Sequence, residues 1–364
     1  MCLVTLAIVA VVPAWGDVVW TAAERLEGPV AFTDGGVSVS GKTVPAEELL
    51  MACLARPACV VGAANVVRTA DGDIWRGEVM AVSTGTLSFR SPLLGAHQVP
   101  LSAVRAIEFE ARLPAEAGSD IRTLYRRTSE PLPGKILWVT AAKIAIESPF
   151  GAIAVDRDSA QRYVLDRPRR PAFQPGTAEV ELTDGSVLHG TLTLARETLT
   201  LKHAQLGQVV LPVRVVRSVL RMSPRVAWVT DLPLEGKATS LLGLGDPIQV
   251  LRSYPAGEGS TERPFVRALA IEAPASVTMT LPGGAGAKGV LRATVAPMAG
   301  ARCGARLRVL GDGKVLLDKP APAAAEAISV DLRGAASLSI EVSLNDRALF
   351  PCGVVLHDPH IVRE

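Results

Sequence analysis

The amino-acid sequence predicts an all-β protein in which small SH3-like or Sm-like barrel repeats precede a β-sandwich. The 364 residues include 32 glycines and 26 prolines, which is typical of a chain with many turns and short elements. Runs such as residues 198–202 alternate apolar and polar side chains, the pattern of half-buried strands. A segment of about 40 residues also recurs along the first 222 residues. The hydrophobic content of 48% excludes a disordered chain.

The first 16 residues have the pattern of a secretory signal peptide. An apolar run over residues 2–12 is too short to span a bilayer, which takes about 20 residues. Ala14 and Gly16 form a small-x-small cleavage site before Asp17, although no Lys or Arg precedes the run. Because no later segment reaches 18 apolar residues, we expect an exported, periplasmic or extracellular protein without a transmembrane segment. The alternative for the run is a buried first strand.

Residues 17–222 contain four copies of one pattern, placed at 24–55, 68–110, 133–165 and 179–222. The two clearest copies match at Asp71-Gly72 and Asp184-Gly185, with an offset of 113 residues. The later copy has a one-residue deletion. Beyond it, the aligned pairs are Leu87/Leu199, Phe89/Leu201, Gly95/Gly207, Pro100/Pro212, Val104/Val216 and Ile107/Val219.

Each copy has the chemistry of a small barrel. An Asp-Gly pair predicts a two-residue type I′ hairpin turn. Four or five strands in each copy would hide their edges against a neighbouring copy. Helices are expected only around residues 46–55 and 102–107, and linkers at 111–132 and 166–176.

Residues 229–364 have the spacing of a β-sandwich. Strand-like runs occur at 265–272, 277–281, 289–295, 306–310, 328–332, 337–344 and 353–356, with turn clusters between them. Gly284-x-Gly286-x-x-Gly289 has the spacing of a dinucleotide fingerprint. Because strand-like residues follow it instead of a helix, we predict a hairpin loop there.

Three segments of this region resemble the NPCBM family of carbohydrate-binding modules. Residues 229–232 (VTDL) are similar to the opening of the family, and residues 306–318 (RLRVLGDGKVLLD) to its central strand pair. Residues 328–344 and 357–362 (HDPHIV) are similar to its closing segments. The resemblance implies a galactose-binding-like jelly roll that binds a cell-surface or extracellular polysaccharide. The whole chain also resembles secreted planctomycete-type proteins in which small barrel repeats precede this module.

The chain departs from the family pattern at three places. Residues 268–272 (ALAIE) replace a G-L-G-V-H segment, residues 296–300 (APMAG) replace an acidic loop, and Leu356 replaces a tryptophan. These departures favour the alternative function, a structural or protein-interaction protein of the envelope with a degenerate sugar site. Other envelope proteins are then the expected partners.

Composition and motifs exclude several function classes. The formal net charge is +2 and aromatic residues make up 4%, so we expect no nucleic-acid partner. The sequence has no G-x-S-x-G or H-E-x-x-H motif and no paired CxxC. The carboxylate pairs Glu47/Glu48, Glu108/Glu110 and Asp156/Asp158 lack any feature that would place them in a cleft. We therefore expect no enzyme activity and no cofactor.

The histidines are interpreted as non-metal residues. His357, Asp358 and His360 are zinc-ligand types, but positions i and i+3 of an extended segment face opposite ways. Surface or sheet-edge positions are therefore expected for these histidines. His189 and His203 are predicted to be solvated residues on a barrel face.

Removal of the signal peptide leaves Cys53, Cys59, Cys303 and Cys352. Local pairing, Cys53 with Cys59 and Cys303 with Cys352, is the expected connectivity in an oxidising compartment. The alternative is buried thiols, which pack as small hydrophobes.

Candidate ligand contacts are few. Sugars present apolar C–H faces to aromatic rings, and Tyr254 in a Ser-Tyr-Pro-Ala-Gly segment is the best such candidate. Basic patches at Arg122, Arg126 and Arg127, and at Arg162 with residues 167–170, could contact acidic glycans. The alternative for these arginines is a solvated linker.

Overall fold

The computed structural model describes residues 17–55, 65–110, 120–166, 176–223, 225–238, 248–254, 265–284, 286, 288–298, 304–344 and 352–363. The chain divides into an N-terminal unit that ends at Met222 and a C-terminal unit that begins at Ser223. Within the described residues, regular structure consists of 33 β-strands and four short 3-10 turns. The predicted all-β fold class is confirmed.

The N-terminal unit contains four small barrels, called repeats 1 to 4. Repeat 1 has strands β1 (Val18–Thr21), β2 (Arg25–Glu27), β3 (Val30–Thr33), β4 (Gly36–Val39), β5 (Lys42–Pro45) and β6 (Leu49–Cys53). Repeat 2 has β7 (Asn65–Thr69), β8 (Ile74–Ser83), β9 (Thr86–Ser91), β10 (Gly95–Pro100), a 3-10 turn at Leu101–Ala103 and β11 (Val104–Glu108). Repeat 3 has β12 (Thr123–Arg126), β13 (Leu132–Pro133), β14 (Lys135–Val139), β15 (Lys143–Ser148), β16 (Gly151–Asp156), a 3-10 turn at Arg157–Ser159 and β17 (Ala160–Val164). Repeat 4 has β18 (Thr177–Leu182), β19 (Val187–Leu194), β20 (Thr198–His203), β21 (Gly207–Pro212), a 3-10 turn at Val213–Val215 and β22 (Val216–Arg221).

Each repeat is an antiparallel meander whose last strand returns to pair with its first. The closing pairs are β1 with β6, β7 with β11, β12 with β17 and β18 with β22. Alternating apolar side chains point into the barrels and join one continuous core that includes Val67, Trp75, Leu124 and Leu201. Each closing strand therefore covers an edge that would otherwise be open.

The four repeats follow one another in space in the order 3, 2, 4, 1. β11 of repeat 2 pairs with β17 of repeat 3, and β22 of repeat 4 pairs equivalently with β6 of repeat 1. Repeats 2 and 4 meet through Ile74 and Val187, which occupy the same position in their repeats. The N-terminal unit is thus approximately two-fold symmetric about this contact, with the interface used in the same way by both partners.

The C-terminal unit is a two-sheet sandwich. Its strands are β23 (Val226–Trp228), β24 (Leu234–Ala238), β25 (Ile248–Tyr254), β26 (Phe265–Glu272), β27 (Ala275–Thr280), β28 (Gly289–Pro297), β29 (Ala305–Gly311), β30 (Lys314–Pro320), β31 (Glu326–Asp331), β32 (Ser337–Leu344) and β33 (Gly353–Arg363), with a 3-10 turn at Val229–Asp231. One sheet has the order β25-β26-β33-β28-β31, with β23 on β33, and the other has the order β24-β27-β32-β29-β30.

This strand order is that of a jelly roll. From β26 to β33 the chain crosses between the sheets at every step except the β29-β30 hairpin. The strands β26-β33-β28-β31 therefore face β27-β32-β29-β30, which is two interleaved Greek keys. β25 and β24 each add one strand at an edge. The inner faces bury a separate core that includes Leu269, Val277, Leu291, Ile340 and Val354.

Three local expectations are wrong. The two segments expected to be helical form a turn with strand β6 and a 3-10 turn with strand β11, because both supply the strand that closes a barrel. The expected linker at 111–132 contains β12, which opens repeat 3. The segment at residues 284–289 joins β27 to β28 across the two sheets, so it is a crossover rather than a hairpin loop.

The turns at Asp71-Gly72 and Asp184-Gly185 also differ from the expected two-residue form, which Asp34-Gly35 keeps. The glycines alone take positive φ, 88° at Gly72 and 81° at Gly185. In repeat 4, the Gly185 N–H donates to the Leu182 carbonyl at 2.9 Å, and the Leu182 N–H donates to the Ser186 carbonyl at 2.8 Å. The loop is therefore a three-residue hairpin with a left-handed glycine. This turn places Asp73 and Ser186 directly after the glycine in their repeats.

Candidate functional site

The outer face of the sheet β24-β27-β32-β29-β30 is polar, and we call it the polar face. Alternation along each strand sends apolar residues to the core and polar residues outward. One row crosses all five strands in register: Lys237, Ser276, Glu341, Arg308 and Asp318. Directly opposite residues have Cβ atoms about 5 Å apart, so these side chains are neighbours.

The side chains of the polar face are tied to one another. Arg306 Nε donates to Asp318 Oδ1 at 2.5 Å, and Arg308 Nε lies 3.3 Å from Asp318 Oδ2. The hydroxyls of Thr278 and Ser339 share a hydrogen bond of 2.8 Å. The hydrogen bond from Arg306 lowers the pKa of the Asp318 carboxyl, which keeps it ionised. The face therefore presents planar charged groups beside hydroxyls.

Tyr254, the predicted sugar contact, is the last residue of the edge strand β25. Its backbone pairs with Phe265 at the start of β26. This strand belongs to the sheet that does not carry the polar face. The Tyr254 side chain and the segment 255–264 that follows lie outside the described residues.

The C-terminal unit buries an arginine beside a tryptophan. Arg267 is 1% exposed and its guanidinium lies over the Trp228 ring, 5.7 Å from the ring centroid. It forms an ion pair with Asp231, and its backbone N–H donates to Asp358 Oδ1 at 3.1 Å. A buried guanidinium needs such a partner because its desolvation is costly. The cluster stabilises the packing of the 3-10 turn at Val229–Asp231 against β26 and β33.

The placement expected for His360 is wrong. His360 is fully buried, its Nδ1 lies 2.8 Å from the Asp358 carbonyl and its ring is 5.1 Å from the Trp228 ring. Burial lowers its pKa to about 4, so the imidazole is neutral. Asp358 takes a positive φ of 48° within β33. Ile361 faces the core, and His360 faces the other side of β33, where it lies opposite Trp228 of β23.

The expectation that His189 and His203 are solvated is also wrong. Asp73 Oδ1 accepts from the His189 backbone N–H at 2.8 Å and lies 2.9 Å from its Nδ1. Asp73 Oδ2 lies 2.9 Å from His203 Nε2, and His189 Nε2 lies 3.0 Å from Glu179 Oε2. The Asp73 side chain is 0% exposed and His189 is 10% exposed. These four residues join repeats 2 and 4, and we call them the interface network.

The hydrogen bonds of the interface network favour a protonated His189 and an ionised Asp73. Burial disfavours a charged His189, but its hydrogen bonds to Asp73 and Glu179 outweigh burial and raise its pKa to about 9. Burial likewise opposes ionisation of Asp73, and the two histidines outweigh it and lower its pKa to about 2. The Gln205 and Leu206 N–H groups donate to His203 Nδ1, so this histidine offers only its Nε2–H to Asp73.

Sequence reasoning missed Asp73 and Glu179. The available signal is a mismatch between aligned repeats, because Asp73 stands where repeat 4 has Ser186. Ser186 Oγ accepts from the Arg76 backbone N–H at 3.0 Å, which is the symmetric counterpart of the Asp73–His189 contact. Only the fold shows that this position faces the other repeat.

The carboxylate pairs are not brought together. Glu47 and Glu48 are exposed in a turn, and Glu108 is buried against Arg68 with a distance of 2.6 Å. No group of three or more His, Cys, Asp or Glu in the described part of the chain is arranged to hold a metal ion. Likewise, no helix within the described ranges is long and apolar enough to cross a membrane.

The cysteines are described in part. Cys53 is a buried thiol in β6, which is the alternative that the sequence left open. Cys352 is buried in the core of the C-terminal unit. Cys59 and Cys303 lie outside the described residues, so the pairing of Cys303 with Cys352 stays a prediction.

The chain has a low structural similarity to several solved carbohydrate-binding modules. A family 51 module of a glycoside hydrolase from Clostridium perfringens, in complex with methyl-galactose, covers 38% of this chain and 99% of its own, with 15% identity and a TM-score of 0.31. Tandem family 51 modules of a glycoside hydrolase from Streptococcus pneumoniae cover 82% of this chain and 88% of their own, with 12% identity and a TM-score of 0.30. A family 6 module of a laminarinase from Zobellia galactanivorans covers 36% and 99%, with 11% identity and a TM-score of 0.22. Likeness at this level establishes neither a family nor a function.

No family model matches the chain, and no curated protein matches it.

Proposed function

We propose that the protein is an exported, non-catalytic carbohydrate-binding protein that recognises a cell-surface or extracellular polysaccharide through its C-terminal unit. The polar row across all five strands of the polar face is the observation that supports this function. A jelly roll alone would not, because one fold hosts many functions, lectins among them.

The chemistry of the polar face suits a chain of sugars. Each sugar hydroxyl both donates and accepts a hydrogen bond. The row offers a carboxylate acceptor at Asp318, a guanidinium donor at Arg308 and a hydroxyl at Ser276. Because Arg308 and Asp318 already hold one another, little side-chain freedom is lost when a ligand binds.

Tyr254 is the proposed second contact. An aromatic ring at the end of β25 would stack on the apolar C–H face of a sugar, as the sequence predicts. Since β25 and the polar face belong to different sheets, the two contacts define two separate positions for a glycan.

A glycan array probed with the full chain tests the proposal. We expect saturable binding to at least one polysaccharide, weakened about tenfold by Arg308→Ala if the polar face is used. The same loss with Tyr254→Ala would place the site at β25. Arg90→Ala removes an exposed arginine of repeat 2 and should bind like the unaltered protein. Absence of binding to every glycan would overturn the proposed function.

A structural or protein-interaction role is the second candidate, and one exposed side chain favours it. Phe150 is 93% exposed at the turn between β15 and β16 of repeat 3. A large exposed aromatic at a hairpin tip is a candidate protein contact. If the protein binds no glycan on the array, its localisation in cells tests this role. Retention of the protein in a cell-envelope fraction, lost in the Phe150→Ser variant, would support it.

A further inference from the structure

Repeats 2 and 3 form a half-open cavity of about 380 Å³, lined by Asn65, Phe109, Arg127, Arg157, Asp158 and Ala160. The cavity belongs to the N-terminal unit and is separate from the polar face. Its volume lies in the range of small-molecule sites, about 300–1,000 Å³.

Arg157 occupies a position that is apolar in equivalent repeats. It is the first residue of the 3-10 turn of repeat 3, where repeat 2 has Leu101 and repeat 4 has Val213. Both of those side chains pack against the barrel core. The fold of a repeat is therefore satisfied by an aliphatic residue here, and the arginine serves some other purpose.

The guanidinium of Arg157 is held firmly at the cavity wall. Its Nη2 donates to Asn65 Oδ1 at 2.7 Å and its Nη1 donates to the Thr140 carbonyl at 2.9 Å. It also lies over the Phe109 ring, 5.6 Å from the ring centroid. Asn65 is fixed in turn, since its Nδ2 donates to the Phe109 carbonyl at 3.1 Å.

The equivalent interface, between repeats 4 and 1, lacks these residues. Repeats 4 and 1 pair as repeats 2 and 3 do, but the position of Asn65 is taken there by Ala178 and that of Phe109 by Arg221. Arg221 donates instead to the Ala46 carbonyl. Three lining residues thus depart together from the repeat pattern, at one of two equivalent interfaces.

The remaining donors and acceptors define the ligand class. Within the described residues, the side-chain hydrogen bonds of Arg157 use two of its five N–H groups, and Arg127 pairs with Glu110 through Nε. The free edges of two guanidinium groups suit a carboxylate, which they can grip with paired hydrogen bonds. Asp158 is an acceptor for hydroxyl groups and disfavours a multiply charged anion such as a polyphosphate.

We propose that this cavity binds a carboxylate-bearing sugar, a uronic acid unit of an acidic glycan. The carboxylate faces Arg157 and Arg127, and the hydroxyls face Asp158. The site belongs to the N-terminal unit, whereas the polar face and Tyr254 belong to the C-terminal unit, so the N-terminal unit has a ligand of its own.

Calorimetric titration of the full chain with sodium glucuronate tests the site, with glucose and sodium sulfate at the same ionic strength as comparison ligands. We expect glucuronate to bind at least about tenfold more tightly than glucose, because glucose leaves the two guanidinium groups without an anion. Sulfate that binds as well as glucuronate would reduce the cavity to a simple anion site and overturn the assignment to a sugar.

Arg157→Leu is the decisive variant, because leucine is the residue of repeat 2 at this position and should preserve the barrel. We expect it to weaken glucuronate binding about tenfold or more while thermal unfolding stays unchanged. Arg90→Leu, an exposed arginine outside the cavity, is the matched control. Unchanged glucuronate binding by Arg157→Leu would overturn the proposal. Arg308→Ala should retain glucuronate binding, which separates this test from that of the proposed function.

Discussion

At the scale of single residues, the buried ion pairs connect elements that are distant in sequence. Asp73 and His189 lie 116 residues apart and hold repeats 2 and 4 together. Arg267 and Asp231 do the same for β26 and the 3-10 turn before β24. Removing one partner of such a pair leaves an uncompensated charge, which costs about 3–5 kcal/mol.

The His189 contact predicts a stability that depends on pH. Because the folded-state pKa is raised from 6.5 to about 9, the stabilisation is complete below pH 6.5 and is lost as pH rises through about 9. A shift of this size corresponds to roughly 3–4 kcal/mol. Asp73 is the acidic partner in the same contact. Because its folded-state pKa is lowered to about 2, its contribution to stability is lost as pH falls through about 2.

Thermal unfolding of the full chain at pH 6 and pH 9.5 checks this expectation. The unaltered protein should lose stability of the N-terminal unit at pH 9.5, and His189→Gln should be less stable at pH 6 with little further loss. His97→Gln is the control, since the His97 ring forms a hydrogen bond with the nearby Leu94 carbonyl and none with a carboxylate among the described residues. If His189→Gln and the unaltered protein lose the same stability between pH 6 and pH 9.5, the pH dependence does not come from His189.

At the scale of elements, one glycine shapes the second strand of every repeat. Gly77 in β8 and Gly190 in β19 lie within continuous strands. Gly28 and Gly134 interrupt the strand with φ of 131° and 151°. A Cβ on Gly77 would lie 2.4 Å from the Arg90 carbonyl oxygen of the next strand. Glycine is required here because the strand bends close against its neighbour.

Gly77→Ala should therefore destabilise the N-terminal unit by about 2 kcal/mol or more, since backbone must shift to admit the methyl group. Gly95→Ala is the comparison, because Gly95 has a positive φ of 87° but open space around a Cβ. That variant should cost about 1 kcal/mol from backbone strain alone. Urea unfolding of the two variants measures the difference, and equal losses would show that the close approach is unimportant.

The strands of the C-terminal unit were the most predictable elements. The runs at 265–272 and 337–344 coincide with β26 and β32. β32 alternates apolar and polar residues over one buried face, whereas residues 268–271 of β26 form a continuous apolar run that is buried on both faces of its sheet. β24 and β25 were missed. They are edge strands that pair on one side only, so their sequences are less constrained.

At the scale of the whole molecule, each unit has its own way of hiding strand edges. The N-terminal unit joins four barrels through strand pairs between repeats, and the C-terminal unit covers one sheet with another. The exterior then remains free to vary, which is where the polar face lies and where the cavity departs from the repeat pattern.

We predict a disulfide bond between Cys352 and Cys303. Cys352 is fully buried directly before the central strand β33, so a bond there would tie β33 to the segment between β28 and β29. Non-reduced peptide mapping of protein purified under oxidising conditions should find the linked pair. Cys303→Ser should then lower stability by about 2–4 kcal/mol. Alkylation of both cysteines in unfolded, unreduced protein would contradict the bond.

The sequence by itself determined the all-β class, the recurrence of a barrel pattern and most strands of the sandwich. Period-two alternation and glycine turns are local properties, and these follow from nearest neighbours along the chain. Only the tertiary structure decided that His203 and His360 are buried, that one row of polar residues crosses five strands, and that Arg157 meets Asn65 at a cavity. Those outcomes depend on contacts between segments that are separated along the chain, by 92 residues for Asn65 and Arg157, and local patterns do not specify such contacts.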